Sequence, residues 1–242
     1  MSFSSNRLNT YGQTDIGLMR EHNEDNFFID DDRNVFAVAD GLGGLPEGSL
    51  ASKMAVNELS EYVSTLHDNH QLALEDIFAR INKSVFLKGK TVSEEMGIGT
   101  TLTVAQLENN ALKIGHIGDT AIVLFREDSW KQLTRDHTMA QDMIDRLRPG
   151  EKAYIPDHFS HTLTKCIGQI ADVHADIFEH PVEPKDRILI FSDGVTKTME
   201  LDEIHHRIIA SKDPQTFVQD IIKTANERGG PDNVTAVAIF LN

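Results

Sequence analysis

At 242 residues, with 40% apolar and 25% charged side chains, the chain can bury one substantial core and has the composition of an ordinary globular protein, which excludes the disordered and low-complexity classes. Its formal net charge of −15 argues against nucleic acid and anionic membranes as partners. The single cysteine, Cys166, rules out an intramolecular disulfide, and no apolar run approaches the about 18 residues of a membrane span, so a soluble, cytoplasmic protein is expected.

The stretch Met1 to Gly12 is polar and has no signal-peptide core. The first strand is expected at Val35–Ala39, a short run bounded by Asn34 and Asp40. Ala51, Ala55, Leu59, Tyr62, Val63 and Leu66 then recur at helical spacing, and Leu74, Ile77, Phe78, Ile81 and Val85 repeat the pattern, so two adjacent amphipathic helices follow. Thr101–Leu107 and Leu112–Ile117 read as strands joined by a hairpin turn at Glu108-Asn109-Asn110, with Ala121–Phe125 as the next strand. Residues 137–161 fit neither period. Met139, Met143 and Leu147 give one short helical stretch before Arg148-Pro149-Gly150 and Tyr154-Ile155-Pro156, which marks a surface insertion, and Met139–His161 is the candidate for a flap facing the substrate. Ile188–Phe191 is a further strand. Leu201–Ala210 is a helix, Pro214 starts another with Phe217, Val218, Ile221, Ile222 and Ala225 on one face, Gly229-Gly230-Pro231 stops it, and Val234–Leu241 is the last strand.

Clustered strands with paired helices define an α+β fold in which helices cover the outer faces of packed antiparallel sheets. No repeat or linker divides the chain, so residues 1–242 are expected to form a single domain with a flap at about 137–161.

Candidate chemistry sits at strand ends. Asp40 follows Val35-Phe36-Ala37-Val38-Ala39 and precedes Gly41-Leu42-Gly43-Gly44, a carboxylate beside glycines that admit close backbone approach. Oxygen donors of this kind suit Mg²⁺ or Mn²⁺, although one Asp-Gly after an apolar run is more often a hairpin turn. The arrangement recurs at Asp193-Gly194 after Ile188–Ser192 and at Asp232-Asn233 after Gly229-Gly230-Pro231. Asp119 closes Gly115–Gly118, and Glu24 and Asp25 precede Phe27-Phe28-Ile29. Turns alone explain this repetition poorly.

Read in order, Asp15-Ile16-Gly17, Arg20 with Asn23-Glu24-Asp25, Val38–Gly44, Gly99-Thr100-Thr101, Gly118-Asp119, Leu133–His137, Leu163-Thr164 with Gly168, Ser192-Asp193-Gly194 and Gly230–Asn233 resemble the motif series of the metal-dependent Ser/Thr protein phosphatases, the PPM family, specifically its compact bacterial members. The resemblance covers nearly the whole chain. It implies an α-β-β-α sandwich of two antiparallel sheets flanked by helix pairs, and hydrolysis of phosphoserine and phosphothreonine in phosphoprotein substrates, opposing a Ser/Thr kinase. It also implies two core Mn²⁺ or Mg²⁺ ions with a possible third. Asp40 would bridge the two core ions, the Gly41 carbonyl completing one site and Asp193 and Asp232 the other, while Asp119 and Asp193 would hold the third. Water activated between the cations would attack phosphorus in one step, with no protein nucleophile. Arg20 would bind the phosphate through its guanidinium fork. Glu24 and Asp25 would accept hydrogen bonds from metal-bound waters.

The chain departs from the family at three places. Leu42 and Leu45 stand where many members carry a histidine, which leaves a metal-bound water or His161 as the proton donor to the leaving oxygen. Lys197 replaces a frequently acidic residue and would weaken an accessory metal or point to solvent. Thr120-Ala121 replaces a common Ser-Arg or Ala-Arg pair and would loosen packing around the third site. His137 is expected to be structural or substrate-binding, Cys166 a small buried residue, and His67, His70, His205 and His206 helix-surface groups. A stand-alone monomeric catalytic unit is expected. The competing readings are a catalytically silent sensor of the same fold and a hydrolase of small phosphate esters.

Overall fold

A computed structural model describes residues 8–66, 72–148 and 150–242; Met1 to Arg7, His67, His70 and Pro149 lie outside the described residues. In chain order these form β1 (Leu8–Asp15), β2 (Asp25–Asp30), β3 (Val35–Asp40), α1 (Gly48–Thr65), α2 (Leu74–Val92), β4 (Leu102–Glu108), β5 (Ala111–Ile117), β6 (Ala121–Arg126) and β7 (Ser129–Gln132). After these come α3 (Met139–Arg146), a 3₁₀ turn (Asp157–His161), β8 (Asp176–Pro181), β9 (Arg187–Phe191), α4 (Asp193–Thr196), α5 (Leu201–Ala210), α6 (Pro214–Glu227) and β10 (Val234–Leu241).

The strands make two five-stranded sheets, ordered β1-β10-β9-β6-β7 and β2-β3-β4-β5-β8, and every neighbouring pair is antiparallel. Alternation along β3 shows why its sequence is apolar throughout. Phe36 and Val38 point into the layer between the sheets, with Ile122, Ile190 and Val237. Val35, Ala37 and Ala39 face the opposite way, against Ala51, Ala55 and Leu59 of α1. In β10, Val237 and Ile239 point inward while Ala236 and Ala238 meet Phe217, Val218 and Ile221 of α6. A strand covered on both faces has no polar side. Each fully buried Leu, Ile or Phe of these layers contributes roughly 1.5–3 kcal/mol. Small residues on the helix-facing side let the helices approach closely.

The expected α+β sandwich is therefore the observed one. Six expected strands are β3, β4, β5, β6, β9 and β10, and the Asn109-Asn110 hairpin turn has both residues at positive φ, 47° and 64°. β1, β2, β7 and β8 were not among the expected strands, and they are the four sheet edges. Helix limits follow local chemistry: Pro214 opens α6 behind an Asp213 side chain that accepts from the Thr216 N–H, and Thr138 caps α3 by accepting from the Gln141 N–H. The 137–161 segment holds α3 and the 3₁₀ turn, and its base is tied by the Thr138–Leu163 bridge and by the Met139 N–H donating to the Thr162 carbonyl. Among the described residues, no helix is long and apolar enough to cross a membrane.

Candidate active site

Loops at one end of the sandwich bring the strand-end carboxylates together. Register places Asp25 of β2 directly opposite Asp40 of β3, joining two of them at the edge of one sheet. From the other sheet, Asp193 follows β9 by two residues and Asp232 precedes β10, and these strands are neighbours. Asp119 lies on the crossing from β5 to β6, between the sheets. Arg20, Glu24, Asp40, Gly41, Asp119, His161, Asp193 and Asp232 all line one open cavity of about 650 Å³. A second cavity of about 510 Å³ adjoins it, sharing Asp119, His161, Asp193 and Lys197. Asp25 is the one expected site residue not in this lining; it lies buried beneath Asp40.

The backbone at Gly118 shows how Asp119 is aimed. Gly118 has φ +112°, and a Cβ there would meet the Thr101 methyl at 2.5 Å. Its N–H donates to His137 Nδ1 at 3.1 Å, and its carbonyl accepts from the His137 N–H at 2.8 Å. With Nδ1 accepting, Nε2 carries the proton and faces Asp176 at 3.2 Å. His137 is buried and stacks on His116 at 4.9 Å, so its role is structural. Thr120 is fully buried, and its hydroxyl lies 2.5 Å from that of Thr101, whose Oγ1 accepts from the Asp40 N–H. The expected loosening at Thr120-Ala121 is thus not observed: a short hydroxyl pair fastens Asp119's neighbour to Asp40's.

Electrostatics in the cluster are strained. Lost hydration, then the charges of Asp25, Asp193, Asp119 and Asp232, push the Asp40 carboxyl well above the usual range. Burial, with Asp193 and Asp136 adding, raises Asp119 to about 7. Burial likewise raises Asp25 to about 6, although hydroxyl donation from Thr235 and Ser192 opposes it. Burial also raises Glu24, against the pull of Arg20. Asp193 behaves differently: burial works upward, but His161 and Lys197 hold its carboxyl below the usual value. For Lys197, burial works against the ammonium, yet Asp193 and Asp232 together push it up to about 12.

These residues fit a hard divalent cation. The donors are carboxylates and a backbone carbonyl, the oxygen set Mg²⁺ and Mn²⁺ prefer. Asp25 Oδ2 accepts from the Ser192 and Thr235 hydroxyls, each at 2.7 Å, while Oδ1 is buried without any hydrogen-bond partner. A buried orphan oxygen beside carboxyls that resist ionisation is what an uncompensated cation site leaves behind. Among the described residues, no three acidic or imidazole groups close into a finished coordination set. Instead, Arg20 grips Asp232 with Nε at 2.8 Å and Nη2 at 2.9 Å, and the Lys197 ammonium contacts both Asp193 and Asp232.

Two expectations are sharpened by these contacts. Lys197 points into the cluster, not to solvent, because one helical turn places residues four apart on one face. Cys166 is half-buried in the cavity wall, and burial pushes its thiol up to about 11, which disfavours the nucleophilic thiolate. Asn233, the last residue of the Gly230–Asn233 motif, joins the loop to the core: Oδ1 accepts from the Glu24 N–H, and Nδ2 donates to the Ile16 and His22 carbonyls. Ser192 and Thr235 were missed as partners of Asp25. The signal for Thr235 was a hydroxyl inside an otherwise apolar strand.

Comparison with known proteins gives three findings. The family model described as protein phosphatase 2C matches residues 19–237. The serine/threonine phosphatase stp of Listeria innocua is 32% identical over 243 residues, covering 95% of this chain and 94% of that protein; protein phosphatase PhpP of Streptococcus pneumoniae is 30% identical, covering 95% and 96%. Among solved structures, the catalytic domain of the serine threonine protein phosphatase PstP in complex with two manganese ions superposes with a TM-score of 0.83 at 26% identity, covering 97% of this chain and 98% of that one.

Proposed function

The chain belongs to the protein phosphatase 2C family of metal-dependent Ser/Thr protein phosphatases, and we propose that it removes phosphate from phosphoserine and phosphothreonine in one step at the carboxylate-lined cavity. The observation that carries this reading is the convergence of Asp40, Asp119, Asp193 and Asp232, drawn from both sheets, on one cavity with Arg20 in its wall. Asp40 would bridge two Mn²⁺ or Mg²⁺ ions, with the Gly41 carbonyl, Asp193 and Asp232 as further ligands, and Asp119 with Asp193 would offer a place for a third. When bound, divalent cations supply Lewis-acid charge and lower the pKa of water at the site. Glu24, in the cavity wall, and Asp25, buried behind Asp40, would accept hydrogen bonds from water held there, which would fix its orientation. Arg20 would take phosphate oxygens through Nη1, which lies beside Gly43, since Nε and Nη2 are held by Asp232. The silent-sensor reading is not favoured, since every core carboxylate is present.

Residues 137–161 would act as a flap on a single domain, the lone cysteine fits a reducing, cytoplasmic setting, and the enzyme would work as a monomer that opposes a Ser/Thr kinase. Metal-stripped protein should hydrolyse a phosphothreonine peptide only after Mn²⁺ or Mg²⁺ is restored. Folded protein that binds metal yet never turns over would move the assignment to the sensor.

His161, at the end of the flap, has Nδ1 3.8 Å from Asp193 Oδ2 and lines both cavities. We assign it as proton donor to the leaving seryl or threonyl oxygen. His161→Ala should lower kcat on a phosphothreonine peptide about 10²-fold, in the usual range for a lost general acid. It should leave p-nitrophenyl phosphate nearly unaffected, because that leaving group departs without a proton. Equal losses on both substrates would remove His161 from this role.

A further inference from the structure

Lys197 stands where the cavity's carboxylates are most in need of positive charge. It follows the single turn α4, four residues after Asp193, and its ammonium lies 2.6 Å from Asp193 Oδ2 while also contacting Asp232 Oδ2. Its side chain is only 25% exposed, and those of Asp193 and Asp232 are 21% and 12% exposed. An ammonium is a compact point charge with three donors, so a single one can hold two carboxylates from adjacent strands. The same two carboxylates are those assigned above to a divalent ion. An ammonium and a dication cannot both sit at contact distance from them without strong mutual repulsion in a poorly hydrated site.

We propose that Lys197 is a tethered cation that competes with the divalent metal for Asp193 and Asp232, so that metal loading must first displace its side chain. Without metal, the ammonium neutralises this edge of the cluster and keeps the ends of β9 and β10 together. With metal, it is driven off at least one carboxylate. The consequence is a raised metal threshold: the site fills only when the free cation concentration is high enough to outcompete an internal counter-ion. The inference rests on the ligand assignment of the proposed function but not on turnover.

The test is a Mn²⁺ titration of metal-stripped protein, followed by the electron paramagnetic resonance signal of free Mn²⁺, for the wild type, Lys197→Met and Lys197→Gln. Met keeps the aliphatic stem and Gln keeps a polar tip, so a folding defect in one leaves the other to report. At least one Mn²⁺ should bind about tenfold or more tightly in both variants, since a neighbouring positive charge has been removed. Their metal-free forms should melt below the wild type. A purely structural lysine would weaken metal binding on removal, so unchanged or weaker affinity in folded variants overturns the proposal. Tighter Mn²⁺ binding without any turnover would uphold it while the phosphatase reading fails.

Discussion

Asp40→Asn is expected to reduce metal-restored kcat on a phosphothreonine peptide by about three orders of magnitude or more, while the metal-free protein stays folded and melts no lower than the wild type. Most substitutions of a partly buried polar group do the reverse and lose stability first. Here the carboxyl is a liability in the absence of cations, because lost hydration and four neighbouring carboxylates oppose its ionisation. Asparagine has nearly the same shape and no charge. Its amide nitrogen can also donate toward Asp25, whose Oδ1 is buried without a partner and which pairs directly with residue 40 across β2 and β3. A hydrogen bond gained there is worth about 1 kcal/mol. The site loses its central anionic oxygen and with it the proposed bridge between ions. Steady-state kinetics with Mn²⁺ restored, beside thermal melts without it, separate the two effects. Activity within tenfold of the wild type would refute the bridging role, and a metal-free melt far below the wild type would make Asp40 structural.

What was legible in the sequence follows from how each strand is covered. β3, β4, β5, β6, β9 and β10 lie inside their sheets and are largely buried on both faces, so apolar residues dominate each run, with Thr103 and Gln106 in β4 and Lys113 and His116 in β5 as interruptions. β1, β2, β7 and β8 are edges. β7, Ser129-Trp130-Lys131-Gln132, is largely exposed, and β8 carries Asp176, Glu179 and His180 among its apolar residues, so neither alternation nor a run announces them. The candidate site was readable because its carboxylates end interior strands beside glycines, which is a local pattern. The partners that set their charge are not local. Ser192 and Thr235 reach Asp25 across 167 and 210 residues, and Asn233 holds the loop around Glu24 from 209 residues away. The direction of Lys197 depended on a one-turn helix too short to leave a periodic signature.

The same cluster should give the metal-free protein a stability that declines as the pH rises from about 6.5 to about 8.5, and Mn²⁺ should abolish the decline. Asp119 is raised to about 7 and Asp40 lies well above the usual carboxylate range, so across this window the folded state binds more protons than the unfolded chain, whose carboxyls ionise near 4. Stability therefore falls with pH until both groups are ionised. Asp25, at about 6, has released most of its proton by the start of the window and lowers stability mainly below it. His116 acts in the opposite sense: burial first, then His137, lowers it to about 3, so the neutral folded imidazole loses stability as the pH falls below about 6.5. Below this window the three raised carboxyls still favour lower pH and, of these groups, only His116 opposes them, so the metal-free maximum lies on the acid side of pH 6.5. A shift of three units corresponds to an upper bound of about 4 kcal/mol for one isolated group, but most of it is lost between about pH 4 and 6.5, and the part Asp119 still loses above about pH 6.5 is on the order of 1 kcal/mol. For a chain of this length that is roughly 2–4 °C in Tm, to which Asp40 adds in the same direction. Divalent cations bind the ionised carboxylates, so the stabilisation by Mn²⁺ should grow with pH over the interval in which the metal-free protein weakens. Melting curves at pH 6.5, 7.5 and 8.5, with and without Mn²⁺, read both trends. A metal-free Tm that is flat or rising across them would mean that the carboxylates are not held in mutual repulsion, and the physical case for a cation at this cavity would fall with it.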